Sequence, residues 1–179
     1  MRIPDFIKEM GRRYALSWRE KDSSKTGVVP LEKIQTVAVF LDVQSPEIEQ
    51  AVDHIRKSFS ERGIGVTIFT LQPQLESVNE MIPGVVYILK NDLSWCDCPK
   101  IGRRHPFLSV GEDMFVSLYR QSSFTLEFIA RCSRAKFKIG RSQLPGNIYD
   151  FIVEEPEDSQ LDQIQAFDNI IDFISALHI

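Results

Sequence analysis

Residues 36–47 read TVAVFLDVQSPE, and this stretch decides the fold. Thr36 to Val43 is an unbroken, β-branched apolar run, the pattern of a strand buried on both faces of a parallel sheet. Ser45, Pro46 and Glu47 follow at once: an N-cap, a first helical position that tolerates proline, and a carboxylate that suits the helix dipole. Ile48, Val52, Ile55 and Phe59 then recur at helical spacing, and Gly63 closes the helix as a glycine beyond the C-cap does.

The same alternation continues outward. Val66 to Leu71 is a second strand. A short helix with Leu75, Val78 and Ile82 is expected over 72–84, then a third strand over Val85 to Leu89. After a long segment, 90–112, come a fourth strand (Met114 to Leu118), a helix capped by Ser122 or Ser123, a fifth strand (Lys136 to Ile139) and a sixth (Tyr149 to Val153). A last helix over 161–177 puts Leu161, Ile164, Phe167, Ile170, Ile171, Ile174 and Leu177 on one face. Glu155, Glu157 and Asp158 precede it, where the dipole favours acids. Strands alternating with helices imply βαβ units: a three-layer α/β/α, Rossmann-like domain with six mostly parallel strands. Three strand spacings span roughly 14 Å, so the long 90–112 segment fits a chain crossing from strand 3 to strand 4 in the order 3-2-1-4-5-6. A flavodoxin-like order is the alternative.

Before this domain, residues 3–20 form an amphipathic helix with Ile3, Phe6, Ile7, Met10 and Tyr14 on one side and Gly11 weakening it; DSSKTGVVP (22–30) is a linker. Residues 1–30 are thus expected as helix and linker, and 31–179 as one α/β domain. The cationic helix suits packing on its own domain or on a second copy, as a homodimer, better than lying on a membrane. The 179 residues are 43% hydrophobic and 26% charged, ordinary for a globular chain, and the net charge of −4 gives no basic excess for nucleic acid. Residues 146–179 carry no Lys or Arg, an asymmetry read as solvated surface. Three cysteines make no disulfide framework, and neither a secretory signal nor a membrane span is evident, so a cytoplasmic location is expected.

Ligands of such sheets bind beyond the carboxyl ends of the strands, at the switch point. Here the loops after strands 1 and 4 bring Asp42, Ser45, Arg120, Gln121, Ser122 and Ser123 there, with Arg141 after strand 5. Arginine pairs phosphate or carboxylate bidentately, so this is a candidate site for a small anionic ligand such as a phosphate or sugar phosphate, and a small enzyme or sensor using it is the alternative function. The competing expectation is structural: the serines cap helices and Arg120 pairs with Asp42. LDVQSPE contains no glycine-rich phosphate loop, so no nucleotide cofactor is expected. Cys96, Cys98 and His105 have an unusual spacing for zinc, and free thiols are expected; Cys132 is expected in the core. No nucleophile elbow accompanies His54, His105 or His178, so no catalytic residue is assigned and a non-catalytic binding or interaction protein is expected. Lys100, Arg103, Arg104 and His105, and Arg131, Arg134, Lys136, Lys138 and Arg141, form basic stretches with few aromatics between them. Solvated faces fit them better than nucleic acid does.

DMFVSLYRQSSFTLEFIARCSRAKFKIGR (113–141) resembles the N-terminal domain of heptosyltransferase-type GT-B glycosyltransferases, with Lys138-Ile139-Gly140 similar to a closing Arg-Ile-Gly motif. The resemblance implies the fold and strand order. Those enzymes carry a Gly-Asp pair after strand 1 and a second Rossmann-like domain; here the loop is Asp42-Val43-Gln44-Ser45, and 179 residues hold no second such domain. The transfer activity is therefore not implied. The chain as a whole, through Asp92-Leu93-Ser94-Trp95 and FTLEFIARCSRAKFKIG, resembles an uncharacterised family of small bacterial proteins of unknown function.

Overall fold

A computed structural model describes residues 3–17, 27–72, 81–100, 111–153, 155 and 161–177. Six parallel strands, β1 (Thr36–Leu41), β2 (Gly65–Gln72), β3 (Val85–Leu89), β4 (Met114–Ser117), β5 (Phe137–Gly140) and β6 (Phe151–Ile152), form one sheet in the order β3-β2-β1-β4-β5-β6. Among the described residues, four α-helices accompany them: α1 (Asp5–Ser17), α2 (Ile48–Ser60), α3 (Phe124–Cys132) and α4 (Gln163–Ala176). The expected α/β fold, strand order and N-terminal helix are all present. Among the described residues, no helix is long and apolar enough to cross a membrane.

β1 explains the layering. Its side chains alternate between two cores. Val37, Val39 and Leu41 join Val52, Ile55, Phe59, Phe167, Ile170 and Ile174 of α2 and α4. Ala38 and Phe40 face the opposite layer with Leu126, Ile129 and Ala130 of α3. On that second face Phe40 stacks on Phe69 of β2 and on Phe115 of β4, each at a centroid distance of 5.0 Å. Leu93, Cys96 and Cys98, in the long connection after β3, are buried in this same layer. That connection, expected only as a bridging loop, is therefore partly core. Of the helix expected over 72–84, residues 73–80 with Leu75 and Val78 lie outside the described residues; Gln72 belongs to β2, and 81–84 are not helical.

Helix ends follow local chemistry, with two departures from expectation. β1 stops at Leu41, because the Asp42 carboxylate accepts the Gln44 N–H (3.0 Å) and its carbonyl accepts the Ser45 N–H (3.3 Å), a turn in place of the ladder. Ser45 does not cap α2: its hydroxyl donates to Glu47 (2.9 Å), and Glu47 is the N-cap. The other end of α2 closes as expected. Gly63, at φ 69°, lets the Ile64 N–H reach the Phe59 carbonyl (2.9 Å) and its own N–H the Ser60 carbonyl (3.0 Å). Ser123, not Ser122, caps α3 by accepting the Leu126 N–H (3.2 Å). α4 begins with a reciprocal box in which Asp162 accepts the Gln165 N–H (2.7 Å) and Gln165 accepts the Asp162 N–H (3.2 Å).

Asp113 ties together the starts of three strands. One carboxylate oxygen accepts the N–H groups of Gln35 (3.0 Å) and Thr36 (3.2 Å), and the other accepts Lys136 Nζ (2.8 Å). Lys136 first, and then the Gln35 N–H, hold its pKa below the ordinary value of 3.8. A carboxylate depressed in the folded state contributes stability that is present above 3.8 and lost as the pH falls through the lower, folded value. Asp113→Asn is therefore expected to cost about 1 kcal/mol at neutral pH. In denaturant melts as a function of pH, the gap between variant and wild type should close below pH 3.8.

Candidate functional site

Beyond the carboxyl ends of β1, β4 and β5 lies an open cleft of about 450 Å³ lined by Asp42, Ser45, Glu47, Arg120, Arg141 and Asp162, among others. Four residues of the expected site, Asp42, Ser45, Arg120 and Arg141, thus come together. Gln163 fixes the floor: its amide accepts the Asp42 N–H (2.8 Å) and donates to the Asp42 carbonyl (2.9 Å), tying α4 to the end of β1.

The arginines are engaged by the protein itself. Arg141, buried, pairs with Glu155 through two nitrogens and donates to the Leu161 carbonyl. Arg120 donates to the same carboxylate (3.3 Å) and the same carbonyl (3.0 Å). Glu155 was expected to serve the α4 dipole; it serves this arginine pair instead. Arg120, expected to meet Asp42 in the structural reading, also has Glu155 as its carboxylate partner. The remaining charged lining residues, Asp42, Glu47 and Asp162, are acidic, so the cleft is not the simple cationic pocket that Arg120 and Arg141 suggest by sequence.

Tyr119, in the loop after β4 and not among the expected ligand-binding residues, closes the other side of the switch point. From the end of β4 its hydroxyl accepts the Leu71 N–H (2.8 Å) and meets the Thr70 hydroxyl (3.4 Å), spanning β1 to reach β2. Burial pushes this phenol up to about 12, so it stays neutral. The signal available in sequence was an amphipathic residue directly after a buried strand.

Ser122 and Ser123 line a different cleft, between α1 and α3, with Glu9, Arg12, Arg13 and Phe124; Gln121 is exposed beside them. The basic stretch 131–141 is only in part a solvated face: Arg134 and Lys136 are exposed, and Lys138 and Arg141 are buried. Lys138 is buried, its Nζ donating to the Ala130 carbonyl (2.8 Å), and burial lowers its pKa. Arg131 is held by Glu127 (3.0 Å) and the Pro145 carbonyl (2.9 Å), and Lys136 by Asp113. Arg103, Arg104, His105, Glu157, Asp158 and His178 lie outside the described residues.

α1 docks through one narrow face. Arg12 pairs with Asp97, donates to the Cys96 carbonyl (3.4 Å) and lies 4.8 Å above the Phe124 ring centroid; Lys8 reaches Asp97 at 3.6 Å. Ala15 and Leu16 pack on the second core. Gly11, a weak helix former, has a reason to be there: a Cβ on it would stand 2.3 Å from the Trp95 ring. The opposite face is largely exposed. Phe6, Met10 and Tyr14 are about two-thirds exposed (67%, 67% and 66%), and Ile7 is also exposed.

The arginine pair yields a graded expectation. Arg141→Ala strips a nearly buried carboxylate of its closest partner and should cost about 3 kcal/mol. Arg120→Ala, at a half-exposed position, should cost less than about 1 kcal/mol. Chemical denaturation of the two variants checks the order.

No curated protein and no solved structure matches the chain. A family model does, over residues 10–172, from the middle of α1 into α4. The chain belongs to that family, DUF6913, a family of unknown function.

Proposed function

We propose that the protein is a non-catalytic interaction protein whose binding surface is the outer face of α1, and that the occupant is a second copy of the chain. The observation that carries this reading is the exposed stripe Phe6, Ile7, Met10 and Tyr14 on a helix already docked by its other side. Large exposed apolar groups on a held element mark an interface. The charges select the pairing. Asp5, Lys8 and Glu9 occupy the first half of α1 and Arg12 and Arg13 the second; Asp97 holds Lys8 and Arg12 on the docked side, which leaves Asp5 and Glu9 in the first half and Arg13 in the second for the outer face. Antiparallel copies set acids against bases, with Met10 at the two-fold axis and Phe6 opposite the partner's Tyr14. Burying a Phe- or Met-sized side chain contributes about 1.5–3 kcal/mol, and association costs upwards of about 4 kcal/mol. Eight such side chains suffice for a reversible dimer.

Light scattering at rising concentration tests this. The wild type is expected to approach twice the monomer mass. Met10→Glu, which sets two carboxylates face to face, should stay monomeric with an unchanged melting curve. A wild type that keeps the monomer mass at its highest soluble concentration overturns the reading.

The cleft beyond β1 and β4 supports a second reading, a small ligand with an anionic group. Two arginines already arranged on one carboxylate fit it: a phosphate would enter by displacing Glu155 from Arg120 and Arg141. The comparisons show no glycosyltransferase similarity, and the loop after β1 carries no Gly-Asp pair, so ligand binding without transfer is proposed. Inorganic phosphate at 100 times its Kd should add about 2.7 kcal/mol to stability, and the gain should vanish in Arg120→Ala. Equal melting with and without phosphate rejects it.

A further inference from the structure

The turn that holds α1 contains two thiols in contact. Cys96 Sγ and Cys98 Sγ lie 3.5 Å apart, both buried, with Cys132 buried in the same core layer. A disulfide needs about 2.05 Å between its sulfurs, so closing the gap takes roughly 1.5 Å of movement. The turn between the cysteines is over-determined in its present shape. The Ser94 N–H donates to the Cys98 carbonyl (2.8 Å), the Asp97 N–H to the Ser94 carbonyl (3.1 Å) and the Cys98 N–H to the Ser94 hydroxyl (3.2 Å). Asp97 itself sits at φ 63°, a left-handed conformation that costs a non-glycine residue energy. α1 makes polar contacts with this turn at Cys96 and Asp97: the Cys96 carbonyl takes Arg12, and the Asp97 carboxylate takes Arg12 and Lys8. The Asp97 carbonyl also accepts the Thr125 hydroxyl of α3 (3.0 Å).

We infer that Cys96 and Cys98 form a reversible dithiol site, closed to an intramolecular disulfide by a hydroperoxide, and that closure loosens α1 from the domain. In the closing reaction one thiolate attacks the peroxide O–O bond, forming a sulfenic acid and releasing water or alcohol. The second thiol then attacks the sulfenic sulfur, forming the S–S bond and releasing water. The protein loses two electrons and two protons, and the peroxide is reduced. Burial first, and then the neighbouring Cys96, push the Cys98 thiol up to about 12, so Cys98 rests as a thiol and closure quickens as the pH rises. A ring spanning one intervening residue is strained, and strained disulfides are the easily reduced ones. Drawing the sulfurs together reshapes the backbone at Asp97, between them, and so moves the carboxylate that anchors Arg12 and Lys8. This inference stands whether or not α1 pairs with a second copy.

The full chain, treated with hydrogen peroxide, is digested and mapped. The tryptic peptide 91–100 holds both cysteines. It should become lighter by two hydrogens and return to its original mass with a dithiol reductant, while Cys132 still alkylates. Hydrogen exchange of residues 5–17 should be about tenfold faster in the oxidised protein, the change that accompanies loss of one charge-assisted contact. Cys98→Ser should show neither change. Full alkylation of Cys96 and Cys98 after peroxide overturns the site. A disulfide that leaves α1 exchange unaltered overturns its coupling to the helix.

Discussion

Everything in this molecule follows from the need to cover β1 on both sides. Val37 to Leu41 are at most 1% exposed, and a strand so placed has no face to give to water. α2 and α4 cover one side with long aliphatic and aromatic side chains. The other side has the nine-residue α3, and the rest of its cover comes from Leu93, Cys96 and Cys98 in the β3–β4 connection and from Ala15 and Leu16 of α1. The N-terminal helix and the cysteine turn are therefore parts of the second layer, and α1 has only one side left with which to meet anything else.

The strand order was legible because its causes are local. Thr36 to Leu41 announces a doubly buried strand, Gly63 a helix end, and the apolar spacing of α4 its buried face. The length of 90–112 gave the crossing from β3 to β4. What was not legible depends on meetings between distant residues. Gly11 reads as a helix defect until Trp95 is seen against it. Glu155 reads as a helix-terminal acid until Arg141 and Arg120 converge on it. Lys138 reads as surface charge, because nothing in its neighbours shows that its amine will find the Ala130 carbonyl.

The candidate site divides along the same line. Placement at the carboxyl ends of β1 and β4 is a property of topology, and Asp42, Ser45, Arg120 and Arg141 were found from it. The charge state of the cleft is a property of pairing, which one sequence does not show. Ser122 and Ser123 went astray for a simpler reason. The residues after Arg120 turn towards α1 as the chain enters α3, so successive residues of one loop serve two different clefts, one beyond the strand ends and one between α1 and α3.

The Asp113 clamp joins positions 77 residues apart in the chain. During synthesis, β1, α2, β2 and β3 all emerge before β4 exists, and one hydrogen-bonding edge of β1 then has no neighbour. An apolar strand edge left open in this way is a template for other chains. Non-local pairing of this kind is also slow. The strand on which both layers of the finished protein close is thus the most vulnerable one in the growing chain, and arrival of the second half of the sheet ends that exposure.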